Sequence, residues 1–230
     1  MTNFMSNSIF FGVALSLIAY EVGLLLKRKF KMAIFNPLLI SIIAVIAVLC
    51  LLHIDYDTYN QSGQYISYLL TPATVCLAVP LYQQMELLKK NLKAVVIGIV
   101  SGVLVSLVSV LILARLFRLS HEQYVTLLPK SITTAIGMGV SEELGGIVTI
   151  TVAVIIITGV LGNMVAETVI KLAHIEEPIA KGLALGTSSH AIGTAKAMEL
   201  GEIEGAMSSL AIAVAGLLTV VGASVFAQFM

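Results

Sequence analysis

Between Gly186 and Lys196 the chain reads Gly-Thr-Ser-Ser-His-Ala-Ile-Gly-Thr-Ala-Lys, a run with four hydroxyls, one imidazole and one ammonium. A second cluster, Pro129-Lys-Ser-Ile-Thr-Thr134, adds another ammonium and three hydroxyls, and neither short motif contains an acid. Two cations among hydroxyl donors form a recognition set for a small anion, with a carboxylate the natural partner. Lys130 and Lys196 would supply charge; Ser131, Thr133, Thr134, Ser188, Ser189 and Thr194 would supply donors. His190 is either a hydrogen-bonded core residue or a titratable group able to relay a proton. Plainer readings stand beside these. Lys130 near an interface would snorkel to water, and Lys196 would pair with Glu199 or Glu202 on its own helix. Glu167 and Lys171, four apart, read as a structural pair.

Other chemistries are poorly served. The sequence has no HExxH, no paired-cysteine metal motif and no GxSxG elbow. Ser189 beside His190 is not a dyad, because neighbouring side chains on a helix point apart. Cys50 and Cys76 sit in apolar runs and read as small buried hydrophobes. No enzyme activity, cofactor or metal is therefore expected.

The elements that must position these residues are membrane segments. The chain is 58% hydrophobic and 11% charged with mean hydropathy +1.02, against about 25% charged in a soluble domain. Such a chain has too little polar surface to cover a water-soluble globule. Its thirteen basic and thirteen acidic residues cancel, so no net field points to nucleic acid. Crossing the hydrocarbon takes about 20 apolar residues as a helix, and five stretches meet that test: Ile9–Leu26, Met32–Leu52, Ala94–Ala114, Ile147–Ala166 and Ala206–Met230. Ile9–Leu26 reads as a retained anchor and not as a cleavable leader, since its basic cluster follows it.

Three further segments enter the membrane only imperfectly. Tyr65–Leu88 contains Pro72 and Pro80. Leu127–Gly146 has eleven uncharged residues bracketed by Lys130 and the Glu142–Glu143 pair. Gly182–Gly201 holds His190, Lys196 and Glu199. Broken backbone survives at membrane depth where it is buried in protein or lines a wet cavity, and its freed carbonyls and amides can hold a solute. The alternative is kinked packing helices, with Gly98-xxx-Gly102 and Gly182-xxx-Gly186 permitting close approach. Thr71 and Thr74, flanked by the two prolines, would form the opposite wall of a site. No continuous polar stripe on a helix suggests a pore.

The fold class is thus an all-α polytopic bundle of about 7–8 membrane segments, a single domain over 1–230 with halves at 1–118 and 119–230. Seven of the thirteen basic residues lie in Lys27–Lys31 and Lys89–Lys93, which places those loops in the cytoplasm and the N-terminus outside. Tyr65–Leu88 with Ala94–Ala114 and Gly182–Gly201 with Ala206–Met230 would form an inverted, elevator-like repeat if Leu127–Gly146 is a re-entrant hairpin turning near Gly137–Gly139. A re-entrant segment would put the C-terminus in the cytoplasm, and a spanning one would put it outside.

The motifs LLPKSITTAIGMGVSEELGG (127–146), TGVLGN (158–163), AKGLALGTSSHAIGTAKAMELGEIEGAMSSLA (180–211), GLLT (216–219) and TPATVCLAVPLYQQMELLKK (71–90) resemble the LrgB/CidB family of bacterial inner-membrane proteins. Ala135 departs from the family pattern, which carries proline after the double threonine. The resemblance implies a small LrgA/CidA-type, holin-like membrane protein as partner and a role in murein hydrolase export and cell lysis. It also implies carriage of pyruvate-like carboxylates, and of glycolate and glycerate by a plastidial relative. The expectation is a secondary transporter or facilitator of small monocarboxylates in the inner membrane, proton-coupled where His190 acts as the relay. The alternative is a non-transporting component of the lysis-control system. A homodimer is compatible with the close-packing glycines.

Overall fold

The structure, a computed structural model, describes residues 10–30, 32 and 35–230, excepting the side chains of Leu70 and Thr74. The N-terminus, expected on the outer face, lies outside the described residues, as do Lys31 and the start of the first apolar run. The described chain is helical: α1 Phe11–Phe30, α2 Pro37–Leu51, α3 Tyr56–Ser67, α4 Leu70–Cys76, α5 Ala78–Gln83, α6 Met85–Lys90, α7 Leu92–Leu116, α8 His121–Leu127, α9 Thr134–Glu143, α10 Val148–Leu172, α11 Pro178–Leu200 and α12 Glu202–Phe226, closed by a 3-10 turn at Ala227–Phe229. Among the described residues, four stretches are long and apolar enough to cross a membrane: Tyr56–Gln83, Leu92–Leu116, Val148–Leu172 and Glu202–Phe229. The chain is a multi-pass membrane protein. Cys50 and Cys76 are exposed and free, where burial was expected; in a bilayer an apolar thiol is as well placed facing lipid.

Two compact units divide at 76/77. In the first unit, α1 packs on α2 and α3. Gly12 lets the helices approach, and its amide donates to Ser62 Oγ at 2.6 Å, while Ser16 and Tyr59 hydroxyls bond at 2.8 Å. Asn36 caps α2 by accepting from the Leu38 and Leu39 amides, with Pro37 in the first helical position where no N–H is required. The breaks at 68–69 and at Leu77 fall where Pro72 and Pro80 each clash with the carbonyl four residues earlier. Proline thus interrupts Tyr65–Leu88 as the sequence implies.

The second unit is built around a continuous core in which Ile99, Leu107, Tyr124, Leu128, Ala206, Met207 and Ala211 are fully buried. Cross-contacts give helix directions. Gly98 meets Leu183 and Gly102 meets Thr187, so α7 and residues 178–188 run the same way. Gly182 meets Met207 and Gly186 meets Ala211, so 178–188 also runs with α12. The second half of α11 runs oppositely: Thr194 bonds Ser208 at 2.7 Å, and Gly205 lies against Met198. The helix therefore folds back on itself at Ser189–His190. Both residues are non-helical, with His190 at φ 42° and ψ −137°, and Gly193 rests on the Leu185 carbonyl.

Residues 121–146 also fold back. Thr126 Oγ1, at the end of α8, accepts from the Ile147 amide at 2.8 Å. The Thr151 hydroxyl donates to the Thr126 carbonyl at 2.9 Å, and Ser141 bonds Thr151 at 2.7 Å. The end of α8 and the last turn of α9 therefore both sit at the start of α10. With 7 residues in α8 and 10 in α9, neither helix exceeds about 15 Å, half a bilayer core. The reversal lies at residues 128–133, not near Gly137–Gly139, which are inside α9. Pro129 has no amide to continue α8, whereas Gly137 lies inside α9 and leaves room there for the end of the Ile155 side chain.

The two fold-backs enter from opposite ends. His121 Nδ1 lies 2.7 Å from the Met230 oxygen, Tyr124 donates to the Phe226 carbonyl, and Arg115 donates to that of Phe229, so the first opens at the C-terminal end of α7 and α12. The second opens at the other end, with Gly201 joining it to α12.

Candidate functional site

The tips of the two fold-backs meet the middle of α7. At the first, Lys130 Nζ donates to Ser131 Oγ at 2.8 Å, and the Ser106 hydroxyl of α7 donates to the same oxygen at 3.2 Å. A serine oxygen accepting two hydrogen bonds has both lone pairs occupied and its own O–H proton left to give. The Lys130 ammonium has further N–H groups beyond the one given to Ser131. Among the described residues, no carboxylate lies within ion-pair distance of Lys130. Ser131 is buried and Lys130 half-buried. The pair thus presents one positive charge and at least two donors to a neighbouring space.

That space is a groove of about 670 Å³ between α7, the first tip and residues 177–188, within the range of small-molecule sites. Its two ends differ in chemistry. Around Lys130 and Ser131 stand Ser106, Ser109, Thr187 and Ser188; further along, Gly98, Ile179, Ala180, Leu183 and Ala184 make an apolar stretch ending at Asn91 and Glu177. The Thr187 and Ser188 hydroxyls donate to the carbonyls of Leu183 and Ala184 at 2.8 and 2.7 Å. Toward a ligand they can only accept, so the donors come from Lys130 and Ser131.

Of the residues singled out in the sequence, Lys130, Ser131 and Ser188 line this groove. Thr133 is the N-cap of α9 without a side-chain cap bond and Thr134 its first residue; both are half-buried and neither lines the groove. Ser189, His190, Thr194 and Lys196 do not line it. His190 Nε2 donates to the Ile155 carbonyl at 3.0 Å, which fixes its ring against α10. Ser189 sits in a slot left by Gly162, where a Cβ would coincide with its hydroxyl, and Gly159 makes the same room for the imidazole. Thr194 is buried, donating to the His190 carbonyl and bonded to Ser208. Lys196 reaches Glu167 at 2.6 Å and Glu199 at 3.1 Å, so its charge is used between α10 and α11. Glu202 is not among its partners. Glu167 also pairs with Lys171 at 3.8 Å. Thr71 is exposed on α4 in the first unit, and the side chain of Thr74 lies outside the described residues.

The sequence reading missed the α7 wall. Gly98, Ser101, Gly102, Ser106 and Ser109 recur at helical spacing and all line the groove, a polar stripe where none was expected. Ser101 and Ser109 donate to carbonyls of their own helix. Such internally satisfied hydroxyls lower the hydropathy of a segment only slightly, so α7 reads as an apolar span. The spacing was the available signal.

The LrgB-like family model matches residues 16–229. Proteins called antiholin-like protein LrgB from Bacillus mycoides (strain KBAB4), Bacillus cereus (strain B4264) and Bacillus anthracis (strain CDC 684 / NRRL 3495) are each 39% identical over 221 residues, covering 96% of this chain and 96% of each relative. No solved structure matches the chain.

Proposed function

The chain belongs to the LrgB-like family, and on that premise we propose that it is the multi-pass component of an antiholin-like system in the bacterial inner membrane. Its partner is a small LrgA/CidA-type membrane protein. The relatives' name supports this reading, since they match along almost the whole chain.

A second reading concerns what this component does by itself: it binds small monocarboxylates of the pyruvate or glycolate type and carries them across the membrane. One observation carries it, the Lys130–Ser131 pair, which offers a charge and directed donors with no acid to take them. Leaving such an ammonium unpaired within a membrane protein is costly unless an anion uses it. Two fold-backs entering from opposite ends, each followed by a 25-residue helix, support an inverted repeat. The repeat pairs 121–172 with 178–226, a different pairing from the one the sequence suggested. With six crossings and two re-entrant hairpins the chain would have eight membrane segments. The C-terminus then lies on the face opposite Lys89–Lys93, outside by the positive-inside rule. His190 serves the elbow and Lys196 the anchoring of the second hairpin, so neither is assigned to the substrate.

Purified protein in liposomes, with and without the partner and a pH gradient, tests the reading through uptake of radiolabelled pyruvate, glycolate and lactate. Saturable uptake supports a carrier, and its dependence on the gradient measures proton coupling. No uptake in any arm leaves the non-transporting component as the function.

A further inference from the structure

The groove is much larger than the anion site at its end. Its 670 Å³ would hold about twenty waters at roughly 30 Å³ each, and a three-carbon acid displaces only a few of them. The remaining length is mainly apolar: Ser101 spends its proton on the Gly98 carbonyl of its own helix, and the polar groups Asn91 and Glu177 stand only at the far end. From Thr187 back to Ala180 the wall runs about 10 Å along the helix; Ala180 and Ala184 are exposed on it, and Leu183, packed on Gly98 of α7, closes the floor between the two helices. Lys130 is the only cation lining the groove among the described residues, and Glu177 stands at its far end.

We propose that the groove takes monocarboxylates bearing an apolar tail of several carbons, carboxylate on Lys130 and Ser131 and tail along Leu183, Ala184 and Ala180, and that it rejects dicarboxylates. This rests on the reading of Lys130–Ser131 as a carboxylate site. Each methylene placed against the apolar stretch leaves water, which at full burial raises affinity about fourfold and in a half-open groove about twofold. A second carboxylate at the tail end gains no cation and approaches Glu177. It would also lose hydration against an apolar wall without a compensating partner.

The test uses the full chain in nanodiscs with radiolabelled pyruvate as the probe and unlabelled acids as competitors. Hexanoate is expected to displace pyruvate about eightfold better than propionate, three methylenes at about twofold each. Adipate, matched in length to hexanoate, is expected to be at least tenfold weaker. Ala184→Phe narrows the tail stretch without touching the anion site; it should abolish the hexanoate advantage while propionate stays within about twofold. Ala180→Leu, at another exposed groove position, serves the same purpose if Ala184→Phe does not fold. Pyruvate binding with no gain along the acid series, or equal losses for both acids in these variants, overturns the tail and leaves the anion site standing. If pyruvate does not bind, radiolabelled hexanoate separates the cases: binding that is lost in Lys130→Gln keeps the tail and discards the short-acid reading, and no binding removes both.

Discussion

Gly162→Ala should unseat the elbow of the second fold-back. The added Cβ would coincide with the Ser189 hydroxyl and lie 2.8 Å from Ser189 Cβ, with the Ser189 Cα at 3.9 Å. The hydroxyl can rotate away, but the Cβ moves only with the backbone. That backbone is held one residue on by the bond from His190 to the Ile155 carbonyl. Overpacking a tight contact costs about 1–3 kcal/mol, and the upper half of that range applies because the elbow is fixed from both sides. At about 2–4 °C per kcal/mol for a chain of this size, the melting temperature of purified protein in detergent should fall by roughly 4–12 °C. Ser189→Gly removes both obstructing atoms, so the double variant should recover most of the loss, with a coupling energy of about 2 kcal/mol. A Gly162→Ala protein that melts within about 1 °C of wild type would refute the packing described at the elbow. So would a double variant whose two losses simply add.

Three further outcomes follow from the same geometry. Lys196→Met breaks the contacts to Glu167 and Glu199 and should cost roughly 1–2 kcal/mol in thermal unfolding, because Glu167 remains half exposed, while pyruvate affinity stays within about twofold. His190→Gly should be less destabilising than His190→Ala by about 1 kcal/mol: both lose the bond to Ile155, but only glycine relieves the strain at φ 42°, and chemical denaturation of the pair reads the difference. In cells, with Cys50 and Cys76 replaced, Glu122→Cys should react with an impermeant thiol reagent from outside, while Lys181→Cys should react only after permeabilisation. Labelling of both from one side would contradict fold-backs that open at opposite ends.

Much of this architecture is legible in the sequence, but unevenly. Of the five clean apolar runs, three lie in helices long and apolar enough to cross, Leu92–Leu116, Val148–Leu172 and Glu202–Phe229, while the first two hold Phe11–Phe30 and the shorter Pro37–Leu51; lipid demands length and apolarity of a spanning helix and little else. Pro72 and Pro80 announce their breaks through chemistry that no context reverses. The first fold-back is visible in the short uncharged stretch between Lys130 and Glu142, though its turn sits at Pro129–Thr133. A proline is a surer end to a helix than glycines that can instead make room for Ile155. The second fold-back was not visible as one. It turns on His190 at positive φ, a conformation that sequence assigns to glycine, and it is set by Gly159 and Gly162 on another helix. The site was half legible for a related reason. Charge and hydroxyls at Lys130 and Ser131 stand out, whereas Lys196 carries the same signal and spends its charge on Glu167, a partner 29 positions away in sequence. Ser106, which completes the Ser131 arrangement, lies in a helix that composition marks as lipid-facing.

The central claim is that Lys130 and Ser131 form a carboxylate site, and equilibrium binding of radiolabelled pyruvate to the full chain tests it most directly. Charge-assisted hydrogen bonds contribute about 1.5–3 kcal/mol and a neutral one about 0.5–1.5. Lys130→Gln should therefore weaken binding by about 10- to 150-fold and Ser131→Ala by about 2- to 12-fold, both with melting temperatures near wild type. Wild-type affinity retained in a folded Lys130→Gln protein would contradict the account.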